Sequence, residues 1–394
     1  MEQLPLEIYS VIYNFLSVSK KLRTRLINKF FNNLITNNDN FEKIIIHINN
    51  LPKINNLSHI KNLYFNITLY NFSDNILQSN AYEKIIGLNI INYIGHIDKF
   101  TNITNLYVRN NNNFVVSDLI YLTKITKLDI AYDNVISNLH IQHLTNLRNL
   151  NLRFNYNITD LSLFLNLNTL ILSDNNIVSD DQIRPLTNLT HVDFYNNKKI
   201  TDFGISLLTN LTFLCTTSEN ITDSSIKNLT NLKYIKLGKN VNITITSIKL
   251  LTRLTSMNIT GDVLSDTDIF LLTNLNTLSI QDNRTISDIG LQNLTKITDL
   301  SLSRNINIAG DIFSILTQIR SLHLDKNYYM SIYSISHLIN ITRLQIYNTY
   351  IHINSVTNLT NLTFLYFPTH IIKRDMNYFP KLKFFNGRKI TMDG

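Results

Sequence analysis

The chain has 394 residues, 44% of them hydrophobic, a single cysteine and a formal net charge of +8. No apolar run approaches the roughly 20 residues a membrane helix needs, and Cys215 has no disulfide partner, so a reducing cytoplasm or the nucleus is the expected compartment. The charge excludes the continuous basic stripe of a nucleic-acid binder: residues 1–31 hold +3, residues 371–394 hold +4, and only +1 is left between them.

Two further biases fit this picture. Asn and Ile are over-used, whereas Ala occurs only at Ala81, Ala131 and Ala309, the signature of AT-rich codons. The Asn residues are spread through periodic sequence and are not gathered into a prion-like tract. The start, Met1-Glu2-Gln3-Leu4-Pro5, lacks the basic and apolar regions of a signal peptide, so sequons such as Asn66 and Asn102 read as by-products of the periodicity.

The first element in chain order is a helical segment over residues 1–40. Pro5 suits a first helical turn, and Ile8, Ile12, Phe15 and Leu16 form one apolar stripe. A polar link from Ser17 to Lys21 leads to a second helix carrying Leu22, Leu26, Ile27 and Phe30, with Phe31 beside it. Helices this short make a poor core alone and need another surface on which to bury these faces. Leu4-Pro5-x-Glu7, Phe15-Leu16 and Leu22-Arg23-x-Arg25-Leu26-Ile27 resemble an F-box, with Phe31 where that family usually has Trp. Lys20 and Thr24 depart from the family pattern. The resemblance implies docking on the Skp-type adaptor subunit of a cullin–RING ubiquitin ligase through Leu4, Pro5, Ile8, Ile12, Leu16, Leu22, Leu26, Ile27 and Phe31. The alternative from the residues alone is a helical cap on whatever follows.

Residues 41–99 show strand patterns at irregular spacing, Phe41–Ile46, Ile60–Phe65 and Ile85–Ile90, read as degenerate repeats. Over residues 100–385 a phrase restarts every 20 to 22 residues, at Leu144, Leu165, Leu186, Leu208, Leu229, Leu251, Leu272, Leu294, Leu316, Leu338 and Leu359. Such a period predicts an α/β fold, a right-handed leucine-rich-repeat solenoid with a parallel concave sheet about 70 Å long. Leu150 and Leu152 point inward, while Asn149, Asn151 and Arg153 point out. Asn155 and its equivalents at Asn175, Asn197, Asn240, Asn283, Asn305 and Asn327 are placed to bond turn backbones from repeat to repeat. Asp133 and Asp262 fall at that position as partial substitutes, and Glu219 and Thr349 depart from it. The Ile-Thr-Asp return segments predict one or two helical turns, capped by Thr or Ser. Leu-Thr-Asn-Leu-Thr-x-Leu-x-Leu-x-x-Asn is similar to the short class of leucine-rich repeats found in bacterial internalins. Residues 386–394 form a tail.

No catalytic or cofactor motif emerges. The nine Gly are scattered, no His-Glu-x-x-His occurs, and His140 and His143 lack further ligands nearby, so neither an enzyme nor a metal or cofactor site is expected. Tyr107, Arg109, Tyr132, Arg153, Phe154, Asp193, Tyr195, Phe213, Tyr234 and Lys236 are the candidate target-binding residues, since Tyr and Arg concentrate interface energy. The middle repeats turn small and polar, and Arg343, Tyr347, Phe364 and Tyr366 bring aromatics back. The whole plan resembles F-box/leucine-rich-repeat proteins of giant amoebal viruses. That resemblance implies a ubiquitin-ligase substrate adaptor in the host cytoplasm, with a protein target and neither nucleic acid nor membrane as partner. A free-standing binding scaffold is the alternative.

Overall fold

The computed structural model describes residues 44–48 and 63–70 as backbone, and residues 82–109, 114–331, 334–347, 353–367, 377–386 and 388–389. The F-box-like segment and its nine adaptor-contact positions lie outside the described residues. The chain divides into two compact units, Met1–Ile171 and Leu172–Gly394.

Among the described residues, the first unit carries seven parallel strands: β1 (Ile44–Ile48), β2 (Leu63–Tyr70), β3 (Ile85–Ile91), β4 (Asn105–Arg109), β5 (Lys127–Asp129), β6 (Asn149–Asn151) and β7 (Thr169–Ile171). β1 to β3 join the sheet despite their irregular spacing, and a register shift between Phe65 and Asn66 absorbs one residue. The second unit continues the plan with β8 (His191–Phe194), β9 (Phe213–Thr216), β10 (Tyr234–Leu237), β11 (Ser256–Thr260), β12 (Thr277–Gln281), β13 (Asp299–Ser303), β14 (Ser321–Asp325), β15 (Arg343–Tyr347), β16 (Phe364–Tyr366) and β17 (Phe384–Phe385). Its registers advance by whole repeats, as in Tyr234 with Ser256 and Ser256 with Thr277. β18 (Arg388–Lys389) then pairs antiparallel with β17, ending the parallel series inside what reads as a tail. Each unit has the architecture of a leucine-rich-repeat solenoid.

Alternation decides which side chains enter the core. Leu150, Leu152, Leu170, Leu172, Val192 and Phe194 are all 0–1% exposed, each contributing about 1.5–3 kcal/mol of burial. One restart differs from the sequence reading. Phe164, three residues before the buried Leu167, takes the inward position, and Leu165 is 51% exposed. The phrase there is one residue shorter, so the larger ring fills the site expected for Leu165.

The return segments are single helical turns, such as Asp202–Ile205 and Asp223–Ile226. Thr201, Thr222, Thr244 and Ser287 cap them by accepting an N–H two residues on. The following Asp reaches across to the next repeat. Asp180 accepts the Thr201 N–H at 2.8 Å and its hydroxyl at 2.6 Å, and Asp202 and Asp223 treat Thr222 and Thr244 the same way. For Asp202, burial pushes the carboxyl up, but bonds from Ser224, Ser225 and Thr222 outweigh it and hold the pKa below its ordinary value. His140 also serves a cap, its Nδ1 lying 3.0 Å from the Ser137 N and Oγ. His143 Nε2 lies 2.8 Å from the Leu119 carbonyl oxygen.

A second ladder is buried at the turns. Asn240 donates to the Ser218 carbonyl at 2.6 Å and the Ile221 carbonyl at 2.9 Å, and its Oδ1 accepts the Asn242 N–H at 2.8 Å. Asn155 and Asn197 use the same scheme toward Asp133 and Asn175. Two assignments made by counting from the leucines are corrected. Ser218, 5% exposed, holds the ladder position in its repeat and Glu219 is exposed. Gly261, at φ +82°, holds the next irregular one, and its carbonyl accepts from Asn283 at 2.9 Å while Asp262 is exposed. Those two turns are one residue shorter than the counting assumed. Thr349 lies outside the described residues.

Asp133 is the weak rung. It is 0% exposed, its Oδ1 accepts from Val135 and Ile136 N–H at 2.9 Å, and its Oδ2 has no hydrogen-bond partner. Burial raises its pKa above the ordinary carboxylate value, against the two N–H bonds and the nearby His140. With the folded pKa raised, the protonated form is favoured in the fold, and its contribution is lost as pH rises through the folded pKa. At pH 7 the ionised group is therefore a net cost. Asp133→Asn should stabilise the protein by about 1–3 kcal/mol at pH 7, with the gain shrinking as pH falls toward the ordinary carboxylate range. Urea denaturation of both proteins at two pH values measures this, and a variant less stable at pH 7 would refute the cost.

Candidate recognition face

The strands of the second unit present three columns of outward positions, fixed by register. The first holds His191, Phe213 and Tyr234, followed by the small Ser256 and Thr277. Its three rings stack: Phe213 and Tyr234 lie 4.3 Å apart and 2° from parallel, and His191 stands 5.9 Å from Phe213. The second column holds Asp193, Cys215, Lys236 and Asn258. In the third, Thr260 pairs with Gln281, and Tyr195, Thr217 and Gly238 follow the ends of β8, β9 and β10.

A cavity of about 560 Å³ opens at the third column, lined by Tyr195, Thr217, Glu219, Lys236, Gly238, Lys239, Asn258, Thr260 and Gln281 among others. Its cause is local. A Cβ at Gly238 would lie 2.5 Å from Thr217 Cγ2, so the chain approaches closely there and leaves no side chain over the floor. The cavity also coincides with the stretch where Ser218 and Gly261 replace Asn on either side of Asn240. Lys236 Nζ stands 5.2 Å from the Tyr195 ring centroid, a cation–aromatic contact on the rim. The lining thus offers two lysines, one carboxylate, one aromatic face and several amide or hydroxyl groups.

Cys215 sits in the second column yet is 4% exposed. Burial, reinforced by Asp193 and opposed by Lys236, pushes its thiol pKa up to about 12. Burial also raises Tyr234, with Cys215 and Asp193 adding to the effect. This thiol is a filler between charged neighbours and not a nucleophile.

A second aromatic group lies further along the same unit. Tyr347 stacks on Tyr366 at 4.2 Å and on His323 at 5.2 Å, and the Arg343 guanidinium lies 4.4 Å from the Phe364 centroid. Between the two groups the face is floored by Ser256, Asn258, Thr277, Ser279, Ser301 and Ser303, all half-buried.

The first unit has its own cluster. Lys127 Nζ stands 5.4 Å from the Tyr107 ring, and Arg109 closes β4 in register with Ile91. Tyr132 stacks on Phe154 at 4.8 Å, and Arg153 lies 5.9 and 5.4 Å from those two rings. Tyr132 and Phe154 are not strand-face residues, however. Both occupy left-handed turn positions, φ 62° and 53°, directly before the ladder residues Asp133 and Asn155. Asp174, Asn196, Asp282, Arg304 and Lys326 repeat that backbone state before their own ladder residues. Both rings follow a strand end, where the chain turns and strand alternation no longer assigns a side chain to either face.

In the first unit Tyr132, Arg153 and Phe154 group together while Tyr107 faces Lys127, and in the second unit Phe213 stacks on Tyr234 and Lys236 faces Tyr195. Counting along the strands missed the cavity, whose only sequence signal is the run of broken ladder positions with glycines at 238 and 261. Among the described residues, no helix is long and apolar enough to cross a membrane.

No known family profile matches the chain, and no curated protein matches it. Among solved structures it is similar to an internalin, InlF, from Listeria monocytogenes: 25% identity, 79% of this chain and 89% of that one, TM-score 0.46. The functional domain of InlJ from the same organism shares 21% identity over 74% of this chain and 69% of that one, TM-score 0.48. A TLR13–ssRNA13 complex shares 15% identity over 87% of this chain and 73% of that one, TM-score 0.44.

The packing around Cys215 gives a direct check on the face. With its thiol pKa near 12, Cys215 should react with a disulfide reagent at pH 8 at least ~100-fold more slowly than a free cysteine of pKa about 8.5. A rate close to that of free cysteine would mean that the cover formed with Asp193 and Lys236 is open.

Proposed function

We propose that this chain is a recognition adaptor whose sheet face holds a folded protein partner, and whose N-terminal segment docks a Skp-type subunit of a cullin–RING ubiquitin ligase. The observation that carries the binding half is the coincidence, in one unit, of a stacked aromatic column, a lysine–tyrosine rim and an open polar cavity. None of these groups is needed to hold the repeats, since the core and both ladders lie elsewhere. A stable partner covers about 800 Å² of such a surface, so a few repeats suffice and the others act as scaffold. Mixed charge around Tyr195 suits a folded protein with its own charged and aromatic groups.

The adaptor half rests on the F-box-like residues Leu4, Pro5 and Leu16. On this reading the protein is a viral one that works in the host cytoplasm, delivering its target for ubiquitin transfer and carrying no catalytic group of its own.

Two substitutions separate the halves. Tyr195→Ala with Lys236→Ala should reduce target labelling at least ~10-fold in a proximity-labelling comparison with wild type, while thermal unfolding and capture of the Skp-type subunit stay unchanged. Leu16→Asp should abolish Skp capture and leave target labelling intact. An unchanged labelled set in the double variant sinks the binding face. Failure of the intact chain to capture any Skp-type subunit sinks the adaptor half and favours a free-standing binder.

A further inference from the structure

In the first unit, the connection after β3 brings His96 and Asp98 against Asp118, which lies about one repeat further along the sequence in a short 3-10 helix, Val116–Tyr121. One ligand atom from each residue falls within 4.8 Å of those of the other two. We propose that these three side chains form a site for a divalent transition cation of the zinc class.

Three observations carry this. The first is charge. Two carboxylates share the site, Asp118 is 5% exposed, and among the described residues no lysine or arginine pairs with either of them. The neighbouring Lys99 is turned toward the Tyr82 ring, 5.9 Å from its centroid. Two carboxyl groups and an imidazole within reach of one another form a donor set that a cation can bridge.

The second is an unsatisfied atom. Asp98 Oδ1 is sealed from solvent and has no hydrogen-bond partner. Buried carboxylate oxygens are normally satisfied, because an unpaired one carries its full desolvation penalty. A metal ion would satisfy it directly.

The third is geometry. His96 Nδ1 stands 3.1 Å from Asp118 Oδ2 and 3.3 Å from Oδ1. Ligands bound about 2.0–2.2 Å from a tetrahedral zinc are spaced roughly 3.3–3.6 Å apart along the edges of the coordination shell. The 3.3 Å contact of His96 Nδ1 with Asp118 Oδ1 already has that edge length, and Asp98 offers a third ligand atom within 4.8 Å of the other two. Asp118 is held for the task, because its Oδ2 also accepts the Ile97 N–H at 2.7 Å. Such a hydrogen bond orients a ligating carboxylate. The His96 side chain is 57% exposed, which leaves the outer side of the shell open to water. One nitrogen and two carboxylates suit zinc or manganese better than calcium or magnesium, which prefer oxygen alone.

A bound ion would tie the loop after β3 to the 3-10 turn of the following repeat, as the asparagine ladder ties later turns. The alternative is a plain His96–Asp118 ion pair with Asp98 a bystander, and that arrangement has no cation dependence.

The test uses the full-length chain without an affinity tag, freed of metal by a chelator and titrated with zinc chloride under isothermal calorimetry. We expect one strong equivalent per chain, weakened at least tenfold by Asp98→Asn and by His96→Gln, and a rise in Tm with zinc that Asp98→Asn abolishes. Asp98→Asn is the informative variant, because Asp98 Oδ1 makes no hydrogen bond whose loss could unfold the loop, and its circular dichroism without metal should match wild type. Zinc uptake and Tm shift equal in wild type and Asp98→Asn would overturn the site. So would binding of calcium in preference to zinc.

Discussion

A buried asparagine whose side-chain NH2 is satisfied by the neighbouring repeat is the constraint on which this architecture depends. Asn240 has no access to water, and its hydrogen bonds go to the Ser218 and Ile221 carbonyls of the preceding turn and the Asn242 N–H of its own. Leaving such groups unpaired costs about 1–3 kcal/mol each, so one repeat cannot keep this turn without the next. The leucine core sets how tightly the layers press, whereas the amide sets where each turn must stand. Toward the C-terminal end the scheme is extended, with the backbone N–H of Asn283 donating to Asn305 and that of Asn305 to Asn327.

The return side carries a second, more polar ladder. Asp180, Asp202, Asp223 and Asp266 spend both carboxylate oxygens on the Thr or Ser of the following repeat, so a helix of one turn is fixed by its neighbour as well as by its own hydrogen bonds. Single turns are far below the length at which a helix is stable alone. With both edges of the layer fixed in this way, the outward strand positions other than those that accept an N–H at the strand end, such as Asp129, Asn151 and Asp193, lie outside the ladders. They are free to carry aromatic and charged groups, and they do so in separate clusters.

How much of this was legible follows from the same physics. Strand placement was readable because alternation around Leu150 and Leu152 admits one inward face, and the ladder was readable wherever Asn recurred at constant distance. Counting failed where a turn changed length. Ser218 and Gly261 hold ladder positions that spacing from the leucines gives to Glu219 and Asp262, and Phe164 holds the core position it gives to Leu165. Alternation failed at Tyr132 and Phe154 because the chain leaves the extended state there for a left-handed turn. The cavity was invisible for a related reason, since it arises from the close approach of Gly238 to Thr217 across two repeats. The meeting of His96 and Asp98 with Asp118 is likewise a property of stacking, with no local motif to announce it.

Amide hydrogen exchange on Asn240→Ala tests most directly whether the asparagine rung holds neighbouring turns together. Loss of the rung should lower the opening free energy of the turns it joins by about 2–3 kcal/mol, giving roughly 30- to 150-fold faster exchange. The effect should be centred on Asn242 and extend through residues 218–221 and 234–243, while the distant strands β14 to β16 keep wild-type protection. Exchange in those turns at the wild-type rate would contradict the account, because the leucine core alone would then be holding the repeats in register.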